Sequence, residues 1–245
     1  MKLAIMQPYF FPYMGYFQLM SHVDCWVVFD HCQFVNKGWV NRNRVLHPDP
    51  SKDWQFVTVP LRKRGRFDFI DDIQIEADTD WRRSLLGKLT HYRRAPYYDQ
   101  ARSVVESAIS YQGGQLSSLL VHSLKVLADY LGLSTRFLLY SELNLGIDSV
   151  SHPGQWALRI SEALGSKEYI NPWGGRALFR PEEFAETGID LSFIQPRLSP
   201  YDQQRPVFVP DLSIIDVMMW CDSRKITSML IEDYSVLRLS GDTDE

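Results

Sequence analysis

The chain is poor in cysteine and has no long apolar run. Its three cysteines, Cys25, Cys32 and Cys221, lie among 245 residues without metal-ligand spacing. That excludes a disulfide framework and a cysteine-held metal, and it fits reduced thiols in a cytoplasm. No apolar stretch approaches a membrane span, and the N-terminus has no apolar signal core. A soluble, unprocessed, cytoplasmic protein is expected, with any membrane role by association. No internal repeat and no low-complexity segment occurs. Excess positive charge is missing as well. Twenty-six Lys and Arg against thirty Asp and Glu leave a net charge of -4, which argues against a general nucleic-acid binder.

The remaining composition is that of a globular chain, and 245 residues suffice to bury a substantial core. Leu3–Gln7 and Cys25–Phe29 read as buried strands, with a helix over Gly15–Ser21 between them. Pro8 and Pro12 keep the first connection non-helical. Further strands are expected at Trp54–Pro60, Ile73–Ile75, Arg136–Tyr140, Glu168–Ile170 and Leu191–Gln195. Helices are expected at Thr79–His91, Asp99–Ser110, Gln115–Leu131, Gly154–Leu164, Pro181–Thr187 and Ser213–Trp220. Alternation of strands and helices predicts a three-layer, Rossmann-like α/β fold with a mostly parallel sheet. Residues 1–239 read as one α/β domain, with a helical appendage conceivable within 79–131 and a frayed tail at 240–245.

Chemistry concentrates early. Gln7-Pro8-Tyr9-Phe10-Phe11-Pro12-Tyr13-Met14-Gly15-Tyr16-Phe17 runs from the first strand into the first helix. Asp30-His31-Cys32-Gln33-Phe34-Val35-Asn36-Lys37-Gly38-Trp39-Val40-Asn41-Arg42-Asn43-Arg44 follows the second strand. Both belong at the carboxyl rim of a parallel sheet, where ligands bind. Gln7 either contacts a ligand or caps its turn. Tyr9, Tyr13 and Tyr16 can stack on a base or sugar, whereas Phe10, Phe11 and Phe17 suit the core. Gly15 permits close backbone approach at a helix start.

In the second run, Asp30 is a candidate general base or a loop cap, and His31 and Lys37 join it as catalytic candidates. Gln33, Asn36, Trp39, Asn41, Arg42, Asn43 and Arg44 are candidates for binding phosphate, carboxylate or sugar hydroxyls. On a strand, Asn41 and Asn43 share one face and Arg42 and Arg44 the other, so one pair is expected to face a ligand. Residues 37–66 hold eight Lys or Arg against Asp49 and Asp53, which suits an anionic ligand or a solvated face. Later candidates are Gly174 and Gly175 in Asn171-Pro172-Trp173-Gly174-Gly175, and Gln203 beside Tyr201. His152-Pro153 is noted without a role. Trp81, Trp156 and Trp220 read as packing, and Asp216 as a cap or an internal partner. No metal site is read.

With Lys37-Gly38-Trp39, Asn41-Arg42-Asn43, Asn171-Pro172-Trp173-Gly174-Gly175 and Leu212-Ser213-Ile214-Ile215-Asp216, the two runs resemble the WbqC-like protein family over nearly the whole chain. Members occur among genes for O-antigen and other surface polysaccharides of the lipopolysaccharide kind, and a glycine transferase role has been suggested for some. Members often carry a second acidic residue where this chain has His31. A fainter likeness links Tyr13-Met14-Gly15-Tyr16 to the His-x-Gly-His turn of nucleotidyltransferases and class-I-type synthetases. There both histidines are replaced by tyrosine, which has no imidazolium charge to offer. That likeness implies ATP with Mg as a co-substrate, which the residues themselves leave open.

Together these imply a transferase or ligase that adds glycine or another aminoacyl group to the amino sugar of a nucleotide sugar. Its partner would be a small molecule, a nucleotide sugar or an activated amino acid. The alternatives are a non-catalytic sugar-nucleotide binding module and a structural partner in a polysaccharide assembly complex.

Overall fold

A computed structural model describes residues 1–147 and 149–239; the expected tail lies outside the described residues. Strand β1 (Lys2–Met6) is followed by α1 (Met14–His22) and β2 (Cys25–Val28). A long excursion then holds the hairpin β3 (Arg42–Leu46) and β4 (Trp54–Thr58), and helices α2 (Trp81–Lys88), α3 (Tyr98–Ala108) and α4 (Leu116–Tyr130). The chain returns through β5 (Arg136–Leu139), a short turn of helix α5 (Tyr140–Leu143), α6 (Gln155–Ala163) and β6 (Glu168–Pro172). It ends with α7 (Pro181–Thr187), β7 (Asp190–Pro196), α8 (Ile214–Trp220), α9 (Ser223–Ile231) and β8 (Tyr234–Leu239).

The sheet separates two cores because adjacent strand residues point to opposite faces. Leu3, Ile5, Cys25 and Val27 meet α6 and α7 residues such as Leu158 and Phe184 on one side. Ala4, Trp26 and Val28 meet α1, α4, α8 and α9 on the other. Strands buried on both faces must be near-continuously apolar, as Leu3–Ile5 and Cys25–Val28 are. Leu116, Leu119, Leu120, Leu124 and Leu127 of α4 are fully buried along one face. Gly132 ends that segment at φ +70°, a left-handed turn that glycine adopts without steric cost. Side chains of α2 and α3 join the same cluster as α1.

Among the described residues the sheet runs β5-β2-β1-β6-β7-β8, with β8 antiparallel to β7 and the other pairings parallel. Renumbered within the sheet this is 3-2-1-4-5-6, the Rossmann order. The fold is thus a Rossmann-like three-layer α/β sandwich. The chain reverses its direction of growth between β1 and β6. Their ladder runs only through Lys2↔Glu168 and Leu3↔Tyr169, whereas β1 and β2 pair over four residues. Beyond Leu3 the two central strands lose their pairing, and a crevice opens at their carboxyl ends.

Several elements differ from expectation. Ile73–Ile75 is not a strand: a 3-10 turn spans Ile70–Asp72, and only single bridges join Gln74 to Gln115 and Leu61 to Ile75. Ile73 and Ile75 are buried without a ladder, so their alternation reflects packing alone. The helix expected through His91 stops at Lys88 and tightens to a 3-10 turn over Thr90–Arg94, and Asp80 caps its start by accepting from the Arg83 N–H at 3.2 Å. Helix α9 and the half-exposed edge strand β8 have no counterpart in the expected elements.

Candidate functional site

The crevice between β1 and β6 is a cavity of about 1150 Å³, slightly above the roughly 300–1000 Å³ usual for small-ligand sites. One wall is the Gln7–Tyr13 turn. Pro8 and Pro12 keep it from continuing β1 or starting α1 early. Phe10 and Phe11 turn inward and are fully buried, while Tyr9 and Tyr13 line the cavity. The turn is tied from three directions. Asn43 Nδ2 donates to the carbonyls of Phe10 (3.1 Å) and Phe11 (2.9 Å). Ser213 Oγ donates to the Phe11 carbonyl at 2.8 Å, and the Phe10 N–H donates to the Trp39 carbonyl at 3.0 Å. Phe11 is held at φ +42°, a strained value for a bulky residue that persists only when its surroundings enforce it.

Tyr13 precedes α1 but makes no side-chain capping bond. Burial, with Asp211 and Tyr9 nearby, pushes its hydroxyl up to about 12. It is therefore a neutral donor and acceptor at physiological pH. Burial, aided by Cys32, raises Tyr9 as well. Gln7 follows β1 directly, and its Nε2 points to Cys32 Sγ at 3.3 Å. Burial pushes the Cys32 thiol up to about 12 despite that bond, so it stays protonated and is no nucleophile.

The rest of the lining comes from β3 and the second half of the chain. Arg44 lies over the rings of Trp39 (5.2 Å) and Trp54 (5.5 Å) and donates to the Asp211 carbonyl at 3.1 Å. Its Nε is buried without a hydrogen-bond partner among the described residues. This guanidinium is pre-positioned at the cavity wall, where its charge suits an anion. Asn171 lies near the end of β6, accepts from the Tyr169 hydroxyl at 2.8 Å and donates to the Pro172 carbonyl at 2.9 Å. A Cβ on Gly175 would stand 2.3 Å from Asn171 Nδ2, so only glycine lets that amide lie against the backbone. His152 also lines the cavity, and its Nε2 contacts both carboxylate oxygens of Glu183 at 2.9 and 3.0 Å. Glu183 in the first turn of α7 thus orients an imidazole toward the crevice, the arrangement of a general base.

The structure brings together Gln7, Tyr9, Tyr13, Gln33, Trp39, Asn43, Arg44, Gly174 and Gly175 around one cavity. Other candidates stand apart from it. Asp30 is 1% exposed, and both its carboxylate oxygens are taken by the Ser141 N–H (3.0 Å) and hydroxyl (2.7 Å). It ties β2 to α5 and is sealed from solvent. His31 is exposed and pairs with Asp71 at 2.8 Å. Lys37 is exposed in a left-handed turn at φ +64°. Asn36 accepts from Arg64 at 2.6 Å and Asn41 donates to the Val59 carbonyl at 2.9 Å. Arg42 bonds the Lys37 and Gly38 carbonyls and stacks over Phe56.

Tyr16 is buried and donates to the Gln7 carbonyl at 2.9 Å, which braces the turn from behind. A Cβ on Gly15 would fall 2.5 Å from the Tyr13 ring and 2.6 Å from Pro196, so that glycine serves packing. Gln203 is buried and donates to Asp216 at 2.8 Å. Asp216, fully buried, also accepts from the hydroxyls of Tyr92 and Tyr201 at 2.6 Å each. This cluster anchors the loop before α8 and does not reach the cavity. The expected division of β3 into an Asn face and an Arg face gives way to a mixed one: Asn43 and Arg44 line the cavity, Asn41 and Arg42 do not.

Sequence reasoning gave no role to His152, Asn171 or Asp211, and it put Trp156 in the core although that ring lines the cavity. His152-Pro153 and Asn171-Pro172 were visible as unusual dipeptides. Nothing in the sequence signals Asp211, which reaches the site through a left-handed turn at φ +54°. Among the described residues no three His, Cys, Asp or Glu side chains gather as metal ligands.

Fold and site together define a Rossmann-like α/β protein with an aromatic-walled cavity at its topological switch point. The chain belongs to the WbqC-like protein family, whose model matches residues 7–228. It is 28% identical over 227 residues to a protein of Mycobacterium tuberculosis (strain ATCC 25618 / H37Rv) described as uncharacterized protein Rv1507c. That match covers 89% of this chain and 92% of the relative. No solved structure matches the chain. No helix among the described residues is long and apolar enough to cross a membrane.

Proposed function

We propose that this protein binds a nucleotide sugar in the switch-point cavity and transfers glycine or another aminoacyl group to its amino sugar, in surface polysaccharide biosynthesis. The observation that carries the reading is Arg44, placed over the Trp39 and Trp54 rings at the wall of a cavity lined by Tyr9, Tyr13 and Trp39. An arginine fork suits a diphosphate, aromatic faces suit a base or sugar ring, and the amide oxygen of Gln7 suits a hydroxyl. The glycine assignment comes from the family resemblance.

His152 is the residue assigned to proton transfer. In acyl transfer the sugar amine attacks the activated carbonyl, the C–N bond forms as the bond to the leaving group breaks, and the amine proton passes to the imidazole. Glu183 then stabilises the imidazolium. If ATP activates the amino acid, the leaving group is AMP from an acyl-adenylate.

Calorimetry with UDP- and dTDP-linked amino sugars tests binding, and mass spectrometry of reactions with glycine and ATP tests transfer. The expected result is nucleotide-sugar binding and a product heavier by one glycyl group. His152→Ala should lower turnover by roughly 10²–10⁴-fold while leaving nucleotide-sugar affinity within a few-fold. Failure of every nucleotide sugar to bind would remove the proposal. The removal of Asp30, His31 and Lys37 from the cavity favours one second reading, a non-catalytic sugar-nucleotide binding module. Binding without product under all donors would select it.

A further inference from the structure

We propose that the joined loops 31–41 and 62–69 form a docking patch for an anionic lipid surface. The loops are fastened together. The Phe34 N–H donates to the Asp68 carbonyl at 2.9 Å, Gln33 Nε2 to the Arg66 carbonyl at 3.2 Å and Arg64 to Asn36 at 2.6 Å. Arg64 also stacks over Phe34 at 4.3 Å. Their apolar exposure is unusual: Phe67 is 71% exposed, Val35 55%, Phe69 39% and Trp39 36%. Scattered exposed apolar residues need no explanation, but several on two loops joined by the Gln33–Phe69 bridge point to an interaction surface.

Exposed Lys37, Arg62, Lys63 and Arg66 lie on the same two loops, and Arg66 sits over the Phe67 ring at 5.6 Å. The acid within 62–69, Asp68, is engaged with the Gly65 N–H at 2.8 Å. The whole chain is negative at -4, so the cationic character is local to this surface. Apolar side chains on loops without regular secondary structure can enter the headgroup region, while the cations around them meet lipid phosphates. Nucleic acid would use the cations and rings but offers nothing for Val35. Gln33 and Trp39 belong to both patch and cavity, so docking brings the cavity mouth to the lipid surface. A lipid-linked sugar acceptor would suit that placement; this last point rests on the proposed function, whereas lipid binding does not.

The test is co-sedimentation of the full chain with vesicles of phosphatidylcholine alone, or with about a third phosphatidylglycerol. Binding to the anionic vesicles is expected to be at least about tenfold tighter and to weaken as salt rises. The Lys63→Glu/Arg66→Glu double variant should bind at least about tenfold more weakly, and Phe67→Ser several-fold more weakly, with melting temperatures unchanged. Nucleotide-sugar calorimetry on the same variants separates loss of docking from failure of the cavity. Absence of binding to anionic vesicles at low salt, variants that bind like the wild type, or single-stranded RNA that displaces the vesicles would each overturn the proposal.

Discussion

Replacing Asn43 with alanine should both destabilise the protein and loosen its site. Asn43 is 4% exposed and supplies the donors that hold the carbonyls of Phe10 and Phe11. Two neutral hydrogen bonds contribute about 1 kcal/mol each, and a buried carbonyl left without a partner costs about 1–3 kcal/mol. The Phe11 carbonyl keeps its bond from Ser213, so the uncompensated loss falls on Phe10. Losing the Phe11 bond (about 1 kcal/mol) and stranding the Phe10 carbonyl (about 1–3 kcal/mol) together cost about 2–4 kcal/mol. At roughly 2–4 °C per kcal/mol for a chain of this size, the melting temperature should drop by about 5–15 °C. Freed from its clamp, the strained Phe11 turn should relax and carry Tyr9 and Tyr13 with it, so nucleotide-sugar affinity should fall too. Asn43→Asp is the sharper probe. It sets a carboxylate against two carbonyl oxygens, and burial raises the folded pKa of the new group. Its contribution is therefore present below the unfolded carboxylate value and lost as pH rises through the folded one, so the deficit should shrink on acidification. Differential scanning calorimetry across pH measures this. An Asn43→Ala melting temperature within about 1 °C of wild type, with ligand affinity intact, would refute the reasoning.

Arg44→Ala should weaken nucleotide-sugar binding by tens of fold, the scale of a charge-assisted hydrogen bond of about 1.5–3 kcal/mol. Arg44→Lys should recover only part of it, because an ammonium cannot stack on Trp39 and present a planar fork together; full recovery in calorimetry would contradict the assignment. Burial raises Asp216 above the ordinary carboxylate range, against the lowering effect of its hydrogen bonds from Tyr201, Tyr92 and Gln203. Its contribution to stability is thus complete below the unfolded pKa and lost as pH rises through the folded one. The melting-temperature advantage of wild type over Asp216→Asn should be largest in acid and narrow as pH rises, and a difference independent of pH would rule this out.

Much of the fold can be read along the chain. Runs such as Leu3–Ile5 and Cys25–Val28 are apolar at successive positions, which only a strand buried on both faces requires. The leucines of α4 repeat at helical spacing, and Gly132 ends their segment at a left-handed turn. Such signals are local, so they survive without knowledge of the partner. Strand β8 shows the limit. It is half-exposed and alternates weakly, and its place follows from pairing with β7, a contact that its own residues do not encode.

The site divides the same way. The Gln7–Tyr13 run announces a rim turn through its prolines and aromatics, and its position after the first strand of an alternating α/β chain places it at the carboxyl edge. Composition alone could not tell which polar side chains face a ligand and which tie the chain together. Asp30, Asn36, Asn41 and Gln203 have the chemistry of ligand-binding residues, yet each is consumed by a partner 18 or more residues away in Ser141, Arg64 and Val59, or nearer by in Asp216. His152 and Asn171 come to the cavity because the ladder between β1 and β6 stops at Leu3 and Tyr169. Local sequence determined the strands, the helices and the rim turn, because periodicity and turn chemistry act over a few residues. Tertiary structure decided the crevice and its lining, because hydrogen-bond partners and strand neighbours are chosen across the whole chain.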